Sequence, residues 1–131
     1  MTTTAQSVET LPCKPNISAS GERMRARIGV TSMAITAAAI GGAMALRVPW
    51  AWRALAFLPA SLSAVSLLQA RRHTCVARAR EGTFEHEDFS KTKAPDHEVA
   101  ESRRVAAGIK RDSMLIGLAV AVLAMATALV R

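Results

Sequence analysis

The chain has 131 residues, half of them apolar and 21% charged, with 17 Lys and Arg against 10 Asp and Glu. That length limits it to one domain. The apolar and charged residues are segregated along the chain, which argues against an amphipathic soluble bundle, where polar residues recur on one face of each helix.

Residues 1–27 form a polar leader. Its first twenty-two positions are rich in Thr, Ser and Pro, and the whole segment is expected to be a disordered cytoplasmic tail. Cys13 stands alone there, with no apolar signal in the twelve residues before it, and is not expected to be a lipoprotein cysteine. Ile28 to Leu46 is then a run of nineteen uncharged residues. A bilayer-spanning helix needs about 20 mostly apolar residues, and roughly 17 is the lower limit. Arg23, Arg25 and Arg27 before the run, and Ala43-Met44-Ala45 at its end, resemble a cleaved secretory signal. The long leader and the length of the run favour an uncleaved signal anchor instead.

Residues 47–53 read as a tight turn. Pro49 sets the bend, Trp50 and Trp52 are interfacial rings, and Arg47 and Arg53 sit where long side chains reach headgroups. Ala54 to Ala70 is a second uncharged run, of seventeen residues, giving a transmembrane hairpin over 28–70. Ala34, Ala38 and Gly42 on the first helix, and Ala56, Ala60 and Ala64 on the second, are spaced for close helix contact; Gly117 and Ala121 offer the same on a third.

The loop over 71–112 is expected to carry helical extensions forming a cytoplasmic hairpin. Helix 2 should continue through Arg71-Arg72-His73-Thr74-Cys75 to Arg80 and stop at Gly82, which takes a left-handed cap without a Cβ penalty. An irregular stretch over 83–94 should follow, then a helix opening near Pro95-Asp96 and running unbroken into a third transmembrane helix. That third apolar run is Ser113 to Val130, within a segment 113–131. The fold class expected is therefore an all-α membrane protein of three transmembrane helices with a cytoplasmic helical hairpin.

Fourteen of the seventeen bases fall on the side of the tail and the 71–112 loop. Cytoplasmic segments carry the excess of Lys and Arg, so the N-terminus and that loop should be cytoplasmic and the C-terminus outside. Thirteen arginines to four lysines, with abundant alanine, point to a bacterial cytoplasmic (inner) membrane. Both cysteines, Cys13 and Cys75, then face a reducing compartment and no disulfide is expected.

No catalytic or cofactor signature is present. His73, Cys75, His86, His97 and Glu101 are weak metal candidates. Residues two apart on a helix diverge, which separates His73 from Cys75. His97-Glu98-Val99-Ala100-Glu101 departs from the zinc-protease pattern H-E-x-x-H at its second His. Arg71, Arg72, Arg78, Arg80, Arg103, Arg104, Lys110 and Arg111 are read as contacts to anionic lipid headgroups, and no nucleic-acid motif accompanies them. Phe84 and Phe89, aromatic in a polar loop, are the partner-binding candidates. No span carries an interior ionisable residue, which argues against a monomeric transporter. The expected function is a non-enzymatic accessory or scaffolding subunit of a larger membrane assembly; the alternatives are a metal- or redox-sensing protein using the His and Cys residues, and an oligomeric channel.

Overall fold

The computed structural model describes residues 15–130; Cys13, Lys14 and Arg131 lie outside them. The chain is mostly helical. Helix α1 (Ala19–Ala45) opens nine residues before the apolar run at Ile28, inside the leader expected to be disordered. Two acceptors explain the early start. Ser18 caps the helix by accepting from the Gly21 N–H, and the Glu87 carboxylate accepts from the backbone N–H groups of Ala19 and Ser20. At its other end Arg47 takes a left-handed conformation, Arg47 N–H donates to Met44 and Val48 N–H to Ala43. That is a Schellman ending made without glycine, and Pro49 follows it.

A short helix α2 (Trp50–Arg53), a 3₁₀ turn (Ala54–Ala56) and helix α3 (Phe57–Arg71) form the return leg. By length and composition α1 and the continuous Trp50–Arg71 segment are each apolar enough to cross a membrane. The expected extension of helix 2 to Arg80 does not form. His73 adopts a left-handed conformation and Thr74 N–H donates back to Gln69, a second Schellman ending. The chain resumes as helix α4 (Val76–Glu81), which stops at Gly82 with φ 70°, as the sequence predicts.

The stretch expected to be irregular is an antiparallel hairpin, β1 (Thr83–Glu85) against β2 (Lys91–Lys93), with Phe84 opposite Thr92. Helix α5 (Asp96–Ala126) follows from a Pro95 cap, with Asp96 and Glu98 in its first turn. Its 31 residues reach about 46 Å at 1.5 Å per residue. It ends at Ala126 rather than Val130, because a closing turn takes over at Thr127.

Helix α3 lies in the middle, packed against α1 on one side and α5 on the other. Small residues allow both approaches. On α3 these include Ala60 and Ala64, and on α5 Gly117, Ala121 and Ala124, all buried. On α1 the expected face is not the one used: Ala34, Ala38 and Gly42 are exposed, and Gly29, Ser32 and Thr36 are buried instead. The Ser63 hydroxyl donates to the Gly29 carbonyl at 2.8 Å. Arg53 also departs from expectation. It turns inward and donates to the carbonyls of Val48 and Ala43 and to the Thr127 hydroxyl, tying the far ends of α1 and α5 together.

A Cβ at Gly29 would lie 2.6 Å from Leu67 Cγ and 3.1 Å from the Leu67 backbone nitrogen, whereas one at Gly42 meets open space. Gly29→Val should therefore lower stability by about 1–3 kcal/mol, and Gly42→Val should not. Thermal unfolding of the two variants in detergent checks this, and equal melting temperatures would contradict the α1–α3 packing.

Candidate functional site

The charged end of the molecule is organised around one carboxylate. Strand β1 ends at Glu85, whose side chain is 2% exposed. Arg25 from α1 reaches it with both terminal nitrogens at 3.4 Å, and Arg78 from α4 with Nε and Nη2 at 3.2 Å. The Ser18 hydroxyl donates to the same carboxylate at 3.4 Å. Burial alone would raise the Glu85 carboxyl; the hydrogen bonds and charges of Arg25 and Arg78 outweigh it and hold the group below the usual carboxylate range.

Asn16 makes the second tie. Its side chain accepts from the Cys75 N–H at 2.6 Å and donates to the Cys75 carbonyl at 3.2 Å. Its backbone N–H donates to the His73 carbonyl, and its carbonyl accepts from Glu85 N–H. The segment ahead of α1 thus stitches the α3–α4 turn to the hairpin. Glu87 completes the arrangement by accepting from the Ser20 hydroxyl, with hydrogen bonds from Ala19 and Ser20 that lower its carboxyl also. Sequence reasoning misses Asn16, and reads Glu85 only as a possible hard metal ligand in Glu85-His86-Glu87-Asp88, because Cys75 and Arg25 lie about sixty residues from them in the chain.

The structure places the metal candidates apart. His73 pairs with Glu22 at 2.8 Å, His86 with the Thr92 hydroxyl at 2.9 Å, and His97 is 81% exposed beside Glu98. Cys75 is buried, in a loop rather than on a helix, and Glu101 is exposed. Among the described residues no three His, Cys, Asp or Glu side chains come together as a metal site.

The bases expected to meet headgroups divide into two sets. Arg78 is committed to Glu85 and Glu81, Arg72 and Arg111 pair with Asp112, and Arg103 donates to the carbonyls of Ala79 and Arg80. Arg71, Arg80, Arg104 and Lys110 are exposed and make no ion pair with a described residue.

The two aromatics differ in setting. Phe84 is half-buried in β1. Phe89 is at the hairpin tip. His86 N–H donates to Ser90 and Phe89 N–H to His86, which leaves a loop of three residues with Phe89 last. That position is left-handed, with φ 63° at Phe89, and hairpins of this kind normally place glycine there. A bulky residue in that conformation is uncommon, and Phe89 as a residue is 45% exposed.

Because the folded Glu85 pKa is depressed, the stability it contributes is complete above the unfolded value near about 4.3. That contribution is lost as pH falls through the folded value. Amide exchange over 76–95, taken relative to the intrinsic rate at each pH, should therefore accelerate below about pH 4. Glu85→Gln should raise it at neutral pH, costing on the order of 3 kcal/mol by leaving two arginines without their buried partner. Unchanged exchange in that variant would show that the carboxylate does not hold the charged end together.

Compared with known proteins, the chain matches no family model, no curated protein and no solved structure.

Proposed function

We propose that this is a multi-pass protein of a bacterial cytoplasmic membrane that acts as a non-enzymatic accessory or scaffolding subunit, docking on a larger membrane assembly through the hairpin tip at Phe89. Phe89 carries the docking half of the proposal. A non-glycine aromatic held in a left-handed turn costs roughly 1 kcal/mol or more, and here it leaves a large hydrophobic residue exposed. Stability alone favours glycine at that position. Strained, exposed residues of this kind concentrate at binding sites.

Exposure also supports the membrane half. Only 17% of the apolar window of α1 and 33% of that of Trp50–Arg71 is buried, so neither behaves as the core helix of a soluble protein. Outward-facing Met33, Ile35, Leu58, Leu62, Leu115, Leu118 and Leu123 extend the apolar surface over all three long helices. The ties at its two ends support α5 as a third span. Arg72 binds Asp112 near one end of α3, and Arg53 binds Thr127 near the other. Between those ties α5 rises about 22 Å alongside α3, so it crosses the same layer. The excess of bases at the end where the hairpin lies assigns that end to the cytoplasm.

Native purification in mild detergent should co-isolate a stoichiometric membrane protein. Phe89→Gly should lose that partner while melting no lower than the parent. Loss of the partner together with a lower melting temperature would make Phe89 a structural residue and defeat the docking site. A reporter fused after Arg131 should read outside; a cytoplasmic signal would break the three-span arrangement.

A further inference from the structure

Because α1 and α5 pack on opposite sides of α3, a groove remains between them on the α3 surface. Its volume is about 450 Å³, within the range of small-molecule sites. Met33 and Ile40 form the α1 wall, Ile116 and Val120 the α5 wall, and Ala64 and Leu67 part of the floor. The two hydroxyls in the lining are already used: Thr36 donates to the Ser32 carbonyl and Ser63 to the Gly29 carbonyl. The groove therefore offers an apolar occupant almost nothing polar along its length. At its cytoplasmic end it meets Arg71, an exposed guanidinium with no ion pair to a described residue. Its neighbour Arg72 is neutralised by Asp112 at 2.6 Å.

We propose that this groove holds an acyl chain of an anionic phospholipid from the cytoplasmic leaflet, with the lipid phosphate on Arg71. The proposal rests on the membrane reading above and assigns one specific site within it. Length supports the assignment. From Ala60 to Arg71 the α3 floor rises about 16 Å, close to half of a hydrocarbon core about 30 Å thick. That is the reach of one leaflet. Charge supports it as well, since a juxtamembrane base favours an anionic headgroup and a guanidinium matches a phosphate in bidentate geometry. A transmembrane helix from a second copy would run the full thickness and leave Arg71 without an anion.

The test uses the full chain in detergent, offered equal amounts of phosphatidylglycerol and phosphatidylcholine, with retained lipid counted by native mass spectrometry. One phosphatidylglycerol per chain should be retained, favoured about fivefold over phosphatidylcholine. Arg71→Gln should remove that preference, whereas Lys93→Gln, an equal loss of charge at an exposed position on β2, should keep it. Ala37→Phe, at an exposed position on the groove wall, should reduce retention of both lipids without lowering the melting temperature. Equal preference in the Arg71 and Lys93 variants would overturn the site, as would a second protein chain retained in place of lipid. Alkaline extraction separates the two layers of the proposal. A chain released without detergent defeats the membrane reading itself, whereas a chain that stays in the membrane but shows no lipid preference defeats only the groove.

Discussion

Burying the carboxylate of Glu85 is the constraint on which the charged end of this protein depends. A carboxylate taken out of water costs several kcal/mol unless it is paired and hydrogen-bonded. Here the compensation comes from Arg25 on α1, Arg78 on α4 and Ser18 in the segment ahead of α1. Satisfying one group therefore fixes three pieces of chain against β1. The consequence reaches further than local stability, because a two-stranded hairpin is marginal by itself. Held by Glu85, by Asn16 and by Glu87 capping α1, the hairpin becomes a rigid mount, and Phe89 is what it presents at its tip.

The apolar end follows a different logic. With small residues at Ala60, Ala64, Gly117 and Ala121, α3 accepts a close neighbour on each side, and α1 contributes Gly29 to the same end. Hydroxyls at Ser63 and Thr36 bond to backbone carbonyls of α1, whereas the buried Ser61 hydroxyl on α3 has no hydrogen-bond partner among the described residues. Arg53 closes the far end by donating to the Ala43 carbonyl of α1 and the Val48 carbonyl just beyond it while holding Thr127. The layout leaves the outer faces apolar, the groove over α3 open, and the bases that make no ion pair with a described residue at the end that carries the hairpin. Docking at Phe89 and lipid binding at Arg71 would then occur on the same side of the membrane, within reach of one larger assembly.

What could be read from the sequence was local. The uncharged runs mark the long helices, Gly82 marks the end of α4, and Pro95-Asp96 marks the start of α5, because each signal is carried by adjacent residues. The break after Arg71 was hidden, since His73 takes a left-handed conformation that its residue type does not announce. The hairpin was hidden too. Thr-Phe-Glu and Lys-Thr-Lys lack the β-branched and aromatic alternation of a strand signal, and no Asn-Gly marks the turn. The early start of α1 depends on Glu87, sixty-eight residues from Ala19. Likewise, the face that α1 presents is decided by Leu67 and Ser63 on its partner, and alanine spacing within α1 carries no trace of them. Of the candidate site, Phe89 was visible as an aromatic in a polar loop, but its strained position at a hairpin tip was not.

Labelling single introduced cysteines with a membrane-impermeant maleimide, in a chain otherwise free of cysteine, tests the account most directly. Trp50→Cys, in the turn between the two apolar legs, should react in intact cells. Phe89→Cys, at the hairpin tip, should react only after the membrane is permeabilised. Reaction of both positions in intact cells, or of neither until lysis, would contradict a chain that crosses the bilayer with its hairpin on the cytoplasmic side.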